Sequence, residues 1–292
     1  MLPARVPPGP SELPAPAGAG PGDHRSPGGE RWRKPTVKSQ SFIASDWRTV
    51  LLTLGLSDLD AWWTLPDAEL VDEPNLRYGG EMSVYRVRLA DGEGHLHSLY
   101  IKRQCDQLRR SVTHPVHGEP TLVKEFRALV DCLKRGIPVA RPVFFESRMG
   151  SDGHHYTVLV SLGLDGFESL DRLDFQAFSP VKRWRLLRDV ADALCYMHNR
   201  GMAHSTLYPK HIFVAWRPSL ERFDVRFIDL EKARYSAGAA HRLRDLESLS
   251  RRSKGVGLRD RLRFLRAYLG RPRLNADDRR LLQQLAPKKR QS

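Results

Sequence analysis

The residues best equipped for chemistry lie between Gly201 and Arg234, in the stretch GMAHSTLYPKHIFVAWRPSLERFDVRFIDLEKAR. Two imidazoles (His204 and His211), a carboxylate (Asp229) and a hydroxyl (Thr206) are side chains of proton transfer and metal ligation. Their spacing matters as much as their types. A polar loop, His204 to Lys210, precedes an apolar strand expected over His211 to Trp216. A turn at Arg217, Pro218 and Ser219 follows, and a second strand expected over Phe223 to Ile228 delivers Asp229 at its end. Polar groups gathered at the ends of two short strands make a site, not a scaffold.

Enzymes of the protein-kinase type hold metal-bound nucleotide phosphates in this way. A loop of HRDxxxxN type precedes the first strand, and a metal-binding Asp follows the second. Here the loop reads HSTLYPKH and the second signal IDLE. The combination of LYPKHIFV with IDLEKAR resembles the bacterial lipopolysaccharide-kinase (Kdo/WaaP) family, in particular its InaA branch, over roughly residues 60 to 255. The resemblance implies an α+β, protein-kinase-like two-lobed fold with an antiparallel N-lobe sheet and a reduced helical C-lobe. It also implies ATP and Mg2+ as cofactors and a lipid-linked glycan, the lipopolysaccharide core, as acceptor at the inner membrane face. On that likeness His204 takes the place of the loop His and Asp229 that of the metal Asp. His211 takes the distal metal-ligand position, which in the family is commonly His instead of Asn. Thr206 stands where a kinase loop carries its catalytic Asp. A hydroxyl cannot act as a base near neutral pH, whereas an ionised Asp can orient or accept the substrate hydroxyl proton. Glu231, two residues after Asp229, is a carboxylate that could substitute.

Several upstream elements have to position such a site. NLRYGGEMSVYRVRLADGEGHLHSLYIKRQ reads as a hairpin, with strands Val84 to Leu89 and Ser98 to Gln104 joined by a turn at Asp91 and Gly92. Gly79 and Gly80 at its start either form a tight turn or let backbone amides approach phosphates, as the glycine-rich loop of kinases does. Side chains on a strand alternate, so Leu99 and Ile101 point one way and Tyr100 and Lys102 the other. LYIK resembles the VAIK of kinases, which implies that Lys102 holds the α and β phosphates. The next helix, GEPTLVKEFRALVDCLKRGIP, carries an apolar stripe of Leu122, Phe126, Leu129, Val130 and Leu133, with Gly136 and Pro138 ending it. Glu125 beside that stripe is the partner expected for Lys102, with Glu119 as the alternative. Between the Lys strand and this helix, Arg109 and Arg110 suit either an anion contact or a solvated loop.

VARPVFFESR and HYTVLVSLGLDGFESL read as two further antiparallel strands. The second runs into Gly163 to Gly166, where a kinase places the hinge that meets adenine. Ser179 and Pro180 open a long helix with Val181, Trp184, Leu187, Val190, Ala191, Leu194 and His198 on one face, closed by Gly201. Asp245, on a later helix, suits either a solvated acid or the anchor of the catalytic-loop backbone.

The chain of 292 residues, 40% hydrophobic and 28% charged, is long enough for one two-lobed domain. Composition sets apart residues 1–40, a Pro/Gly-rich tail with PxxP-like spacing at Pro7 and Pro10, too poor in apolar residues to offset the entropy of ordering. The resemblance implies an N-lobe over residues 41–165, with Trp62 and Trp63 expected in its core, and a reduced C-lobe with basic helices over 166–292. No apolar run reaches the roughly 18 residues of a membrane span and no secretion signal opens the chain, so a cytoplasmic protein is expected, peripheral to the inner membrane at most. Cys105, Cys132 and Cys195 are odd in number, widely spaced and without CxxC, and read as buried thiols.

The net charge of +14 is concentrated late: residues 241–292 hold 16 Lys or Arg against five acids. Helices with Leu258, Leu262, Leu265, Tyr268 and Leu269 inward and Arg259, Arg261, Arg263 and Arg266 elsewhere could meet an anionic membrane. No nucleic-acid module accompanies the charge, so nucleic acid is not the expected partner. Only 63 residues follow Asp229 and no APE motif appears, which favours a small or lipid-linked acceptor over protein. Two readings remain: an ATP-dependent phosphotransferase acting on a sugar hydroxyl, and a pseudokinase that binds nucleotide or a protein partner as a regulatory scaffold.

Overall fold

A computed structural model describes residues 40–111, 114–235 and 238–285. The tail with Pro7 and Pro10, and the last basic residues after Leu285, lie outside the described residues. The chain divides into two compact units. The first takes the described residues up to His95 with Tyr100–Pro120 and Val143–Val160; the second takes Leu96–Leu99, Thr121–Pro142 and the chain from Ser161 onward.

The first unit is built on a six-stranded antiparallel sheet. Its strands are β1 (Gln40–Ile43), β2 (Glu69–Arg77), β3 (Gly80–Ala90), β4 (Leu96–Cys105), β7 (Pro142–Met149) and β8 (His155–Leu162), in the order β1-β7-β8-β4-β3-β2. A separate ribbon pairs β5 (Leu108–Ser111) with β6 (His114–Pro120). The expected Asp91 turn forms: its carboxylate accepts the backbone N–H groups of Glu93 and His95, both at 2.9 Å. Two short helices, α1 (Arg48–Thr53) and α2 (Leu59–Trp63), bury Leu51, Leu59, Trp62 and Trp63. Trp62 packs on Phe144 and Trp63 stands edge-on to Tyr156, so the tryptophan pair is core.

The second unit contains α3 (Thr121–Lys134), β9 (Glu168–Ser169), α4 (Pro180–Asn199), β10 (Ile212–Arg217), β11 (Arg222–Phe227), α5 (Ala239–Arg252), α6 (Leu258–Leu269) and α7 (Ala276–Leu285). β10 pairs with β11 and β9, and α4 packs on β11 and α6. Ser179 caps α4 as expected, accepting the Lys182 N–H, with Pro180 in the first turn, where its missing N–H costs nothing.

Burial corrects the expected helix faces in three places. On α3 the inward face is centred on Leu122, Glu125, Leu129 and Cys132, whereas Leu133 is exposed and Phe126 and Val130 are half-buried. On α4 the face begins at Leu186, and Val181 and Trp184 of the first turns are exposed. On α6 Leu258 is exposed and Arg261 is buried. The Arg261 guanidinium donates to the carbonyls of Val256, Ser250 and Ser253, tying the end of α5 and the loop after it to α6. An arginine among arginines gives no sequence sign that it will serve loose backbone acceptors. Of the thiols, only Cys132 is fully buried; Cys105 and Cys195 are half-buried.

Candidate functional site

Two residues beyond the end of α4, Gly201 has a φ of +77° that lets the chain reverse. The following segment is pinned by a reciprocal backbone bridge between Ala203 and Arg234. Next comes the loop, and a short 3-10 turn over Pro209–His211 feeds β10. The β10–β11 register pairs Ile212 with Phe227. The ladder therefore ends with the Ile228 N–H on the His211 carbonyl, 3.1 Å, and hands the chain to Asp229 beside His211. Asp229 adopts a left-handed φ of +61° and Ser205 one of +67°. Non-glycine residues rarely sit there, and such conformations persist where the surroundings over-determine them, as at functional sites.

His211 is buried, and its ring reaches in two directions. Nδ1 lies 2.9 Å from the Thr206 carbonyl and Nε2 lies 3.1 Å from Asp229 Oδ2. A carbonyl only accepts, so Nδ1 carries the proton and Nε2 presents a lone pair to the carboxylate. Burial pushes the His211 imidazole down to about 4, against the attraction of Asp229; His204 and Lys210 add to the lowering, and the Thr206 carbonyl opposes it. At neutral pH the imidazole then carries no second proton, and Nε2 turns its lone pair towards Oδ2. Two lone-pair atoms at this distance are complementary to a cation. The pair fits a divalent ion, with the Asp229 oxygen the ligand magnesium prefers and a neutral imidazole beside it.

His204 is wholly buried. Its ring stacks on His211 at 5.5 Å, and Nε2 donates to the Ile228 carbonyl at 2.9 Å. Its backbone N–H donates to Asp245 Oδ2 at 2.7 Å. Asp245 is itself fully buried on α5, and the same oxygen accepts His198 Nε2 at 3.1 Å, while His198 Nδ1 meets the Tyr268 hydroxyl at 2.7 Å. Between the two sequence readings of Asp245, the structure has the anchor and not the solvated acid. The partners on α4 and α6 leave no sequence signal, because His198 reads as one more residue on an apolar face. Thr206 is half-buried between His204 and His211 in the loop. Glu231 pairs with Lys232 at 3.4 Å.

Thus His204, Thr206, His211 and Asp229 come together in the second unit. Glu125 is also in that unit, buried on α3. Gly79, Gly80 and Lys102 belong to the first unit. Lys102 is half-buried on the face of β4 opposite the buried Leu99 and Ile101, as the alternation requires. Gly79 has a φ of +80°. Gly80 lies so close to the Cys105–Gln107 backbone that a Cβ would come within 2.2 to 2.3 Å of it, so each glycine answers a geometric demand. The Gly163–Gly166 segment is also fixed: Gly163 N–H donates to the Ser98 carbonyl at 2.7 Å, and the Asp165 carboxylate accepts the Ser98 N–H at 3.0 Å.

Beside the loop, the second unit has a partly open cavity of about 550 Å³. Leu173, Phe175, Leu187 and Phe264 are among its apolar lining, and Lys210, Arg251, Arg252 and Lys254 contribute positive charge. Arg252 lies over the Tyr208 ring of the loop, 4.0 Å from its centroid.

An antiparallel sheet, a helical unit and a loop-strand-strand-Asp arrangement define a protein-kinase-like fold with a reduced helical part. The solved structure described as "WaaP in complex with acyl carrier protein" matches with a TM-score of 0.57 and 22% identity, covering 84% of this chain and 92% of that one. The model of the Lipopolysaccharide kinase (Kdo/WaaP) family matches residues 60–268, and the chain belongs to that family. No protein of curated function matches the chain.

Proposed function

We propose that this protein is an ATP-dependent phosphotransferase acting on a sugar hydroxyl of a lipid-linked glycan, the lipopolysaccharide core in its family. The observation that carries the reading is the His211–Asp229 pair, two lone-pair atoms 3.1 Å apart at the end of a kinase-type loop. In this assignment Asp229 and His211 hold magnesium, which when bound neutralises charge on the nucleotide phosphates. Lys102 binds the α and β phosphates and Glu125 orients Lys102. Gly79 and Gly80 shape the turn over the phosphates. His204, being buried, holds the loop and the His211 ring in register and does not touch substrate.

Thr206 sets the expected rate. Phosphoryl transfer rests mainly on positioning and charge neutralisation, and general base catalysis typically contributes roughly 100- to 10,000-fold. With a hydroxyl at the base position, the acceptor proton leaves without a carboxylate to receive it, and turnover is slow by about that factor. The cavity supports the acceptor class: apolar lining with Lys210, Arg251, Arg252 and Lys254 suits a molecule that is apolar in one part and anionic in another. Among the described residues no helix is long and apolar enough to cross a membrane. Exposed Arg259 and Arg266 on α6 are consistent with peripheral contact at an anionic inner-membrane face.

A thermal melt with and without ATP and magnesium tests the nucleotide assignment. At ligand about 100-fold above its dissociation constant the stabilisation is about 2.7 kcal/mol, a rise of several degrees. That rise should require magnesium and vanish in Lys102→Ala. An unchanged melt at millimolar ATP would remove the kinase reading, and a full shift in Lys102→Ala would remove Lys102 from the site. Thr206 also favours a second reading, a pseudokinase that binds nucleotide and regulates a protein partner. It predicts the magnesium-dependent shift without phosphate transfer to lipopolysaccharide core, in the wild type and in Thr206→Asp alike.

A further inference from the structure

Away from the loop, the first unit gathers three metal-ligating side chains that the sequence scatters. Cys105 ends β4, Asp106 follows it, and His154 precedes β8. One ligand atom from each lies within 4.8 Å of the others. Successive residues on a strand normally point to opposite faces, so Cys105 and Asp106 would not converge. Here Asp106 adopts a left-handed φ of +53°, which breaks the alternation. The corner is held from several sides. Gly80 packs against the Cys105–Gln107 backbone too closely for any Cβ, and the Asp106 N–H donates to the His155 carbonyl at 3.0 Å. Asp106 Oδ1 accepts the His155 N–H at 2.8 Å, which leaves Oδ2 facing His154 Nδ1 at 2.6 Å. The turn bearing His154 is fixed by Asp152, which accepts the His154 N–H at 3.0 Å and the Tyr156 hydroxyl at 2.7 Å.

We propose that Cys105, Asp106 and His154 form a zinc site that clamps the end of β4 to the start of β8. Thiolate, imidazole and carboxylate together match a borderline-soft ion that takes S, N and O donors tetrahedrally. Three protein ligands leave a fourth position for water. Charge agrees: beside burial, which is the larger cost to a lone thiolate, the charges acting on the thiol are the carboxylates of Asp106, Asp152 and Glu81, in a chain of net charge +14. Those acids oppose a lone thiolate and favour a dication that carries one. Entry is open, since Cys105 is half-buried and the His154 and Asp106 side chains are 49% and 31% exposed. On binding, the thiol gives its proton to solvent. The proton between His154 Nδ1 and Asp106 Oδ2 leaves to solvent as well, with the neutral ring keeping its other proton on Nε2, and the zinc ion replaces that hydrogen bond. Asp152 and Tyr156 stand behind as supports. The inference is independent of the nucleotide site.

The full chain, stripped with chelator, is titrated with Zn2+ by calorimetry and with Co2+ by absorption. The expected result is a Zn2+ site with a thiolate-to-cobalt charge-transfer band that persists in His211→Ala, and an affinity at least tenfold weaker in Cys105→Ser and in His154→Ala. Asp106→Asn tolerates the left-handed backbone and keeps the acceptor for the His155 N–H, so it should remain folded yet bind zinc more weakly. Melts of the variants in chelator check that they fold as the wild type does. Absence of the charge-transfer band, or zinc binding unchanged by these substitutions but lost in His211→Ala, would overturn the proposal. The cluster would then be an ion pair beside a thiol.

Discussion

Replacing Asp245 by Asn keeps the volume of the side chain and removes the carboxylate on which the backbone of the His204 loop hangs. Oδ2 of Asp245 accepts the His204 backbone N–H at 2.7 Å and His198 Nε2 at 3.1 Å, and the residue is fully buried. Hydrogen bonds to a charged group contribute about 1.5–3 kcal/mol, and each buried donor left unpaired costs about 1–3 kcal/mol. Asn retains one carbonyl oxygen, so it should lose roughly 1.5–3 kcal/mol, while Ala leaves both donors stranded and should lose about 3–5 kcal/mol. For a chain of this size each kcal/mol moves the melting temperature by about 2–4 °C. The assay is a melt in chelator followed by the same melt with ATP and magnesium. Because His204 stacks on His211, slackening the loop should also shrink the nucleotide-induced shift of the Asn variant. Asp245→Asn melting within a degree of wild type, with the ATP shift intact, would refute the anchoring role. The loss in Tyr268→Phe, which removes the hydroxyl on His198 Nδ1, should be smaller, about 1 kcal/mol.

Further outcomes are expected elsewhere in the molecule. Thr206→Asp should raise phosphate transfer roughly 100- to 10,000-fold in a radiolabelled ATP assay with lipopolysaccharide core; no gain would favour the pseudokinase. Without divalent metal, the stabilisation contributed by neutral His211 should be fully present above pH about 6.5. It should be lost as pH falls towards about 4, because the unfolded chain takes up a proton that the buried ring refuses. His211→Asn should flatten that limb of the stability profile, and equal acid sensitivity in both proteins would count against the buried neutral ring. Gly80→Ala should destabilise the first unit by at least about 1–3 kcal/mol, since its methyl would meet backbone at 2.2 to 2.3 Å, and a neutral melt would contradict the close approach.

What could be read from the sequence, and what could not, divides along the range of the interactions involved. The loop, its two strands and Asp229 were legible because local signals coincide: turn residues at Arg217 and Pro218, an apolar run before them and a second run ending in an acid. The order of the hairpin, the Ser179-capped helix and the loop was equally local. Helix faces were less so. Periodicity places an apolar stripe on α3, but the face actually buried centres on Leu122, Glu125, Leu129 and Cys132, with a carboxylate in the middle of it, because tertiary context sets which side turns inward. Long-range polar pairing left still less trace. Nothing in the spacing of His198, Asp245 and Tyr268 marks them as one chain of hydrogen bonds, yet they decide where the loop backbone sits. The same holds for Cys105 and His154, which are brought together by a left-handed residue that has no sequence signature of its own. In both cases the feature that could carry chemistry is a buried or clustered polar group whose partner lies tens of residues away. The residues that hold a site in place are thus less visible in sequence than those that act in it, and perturbing the holders, Asp245 first, separates a working loop from one that is merely present.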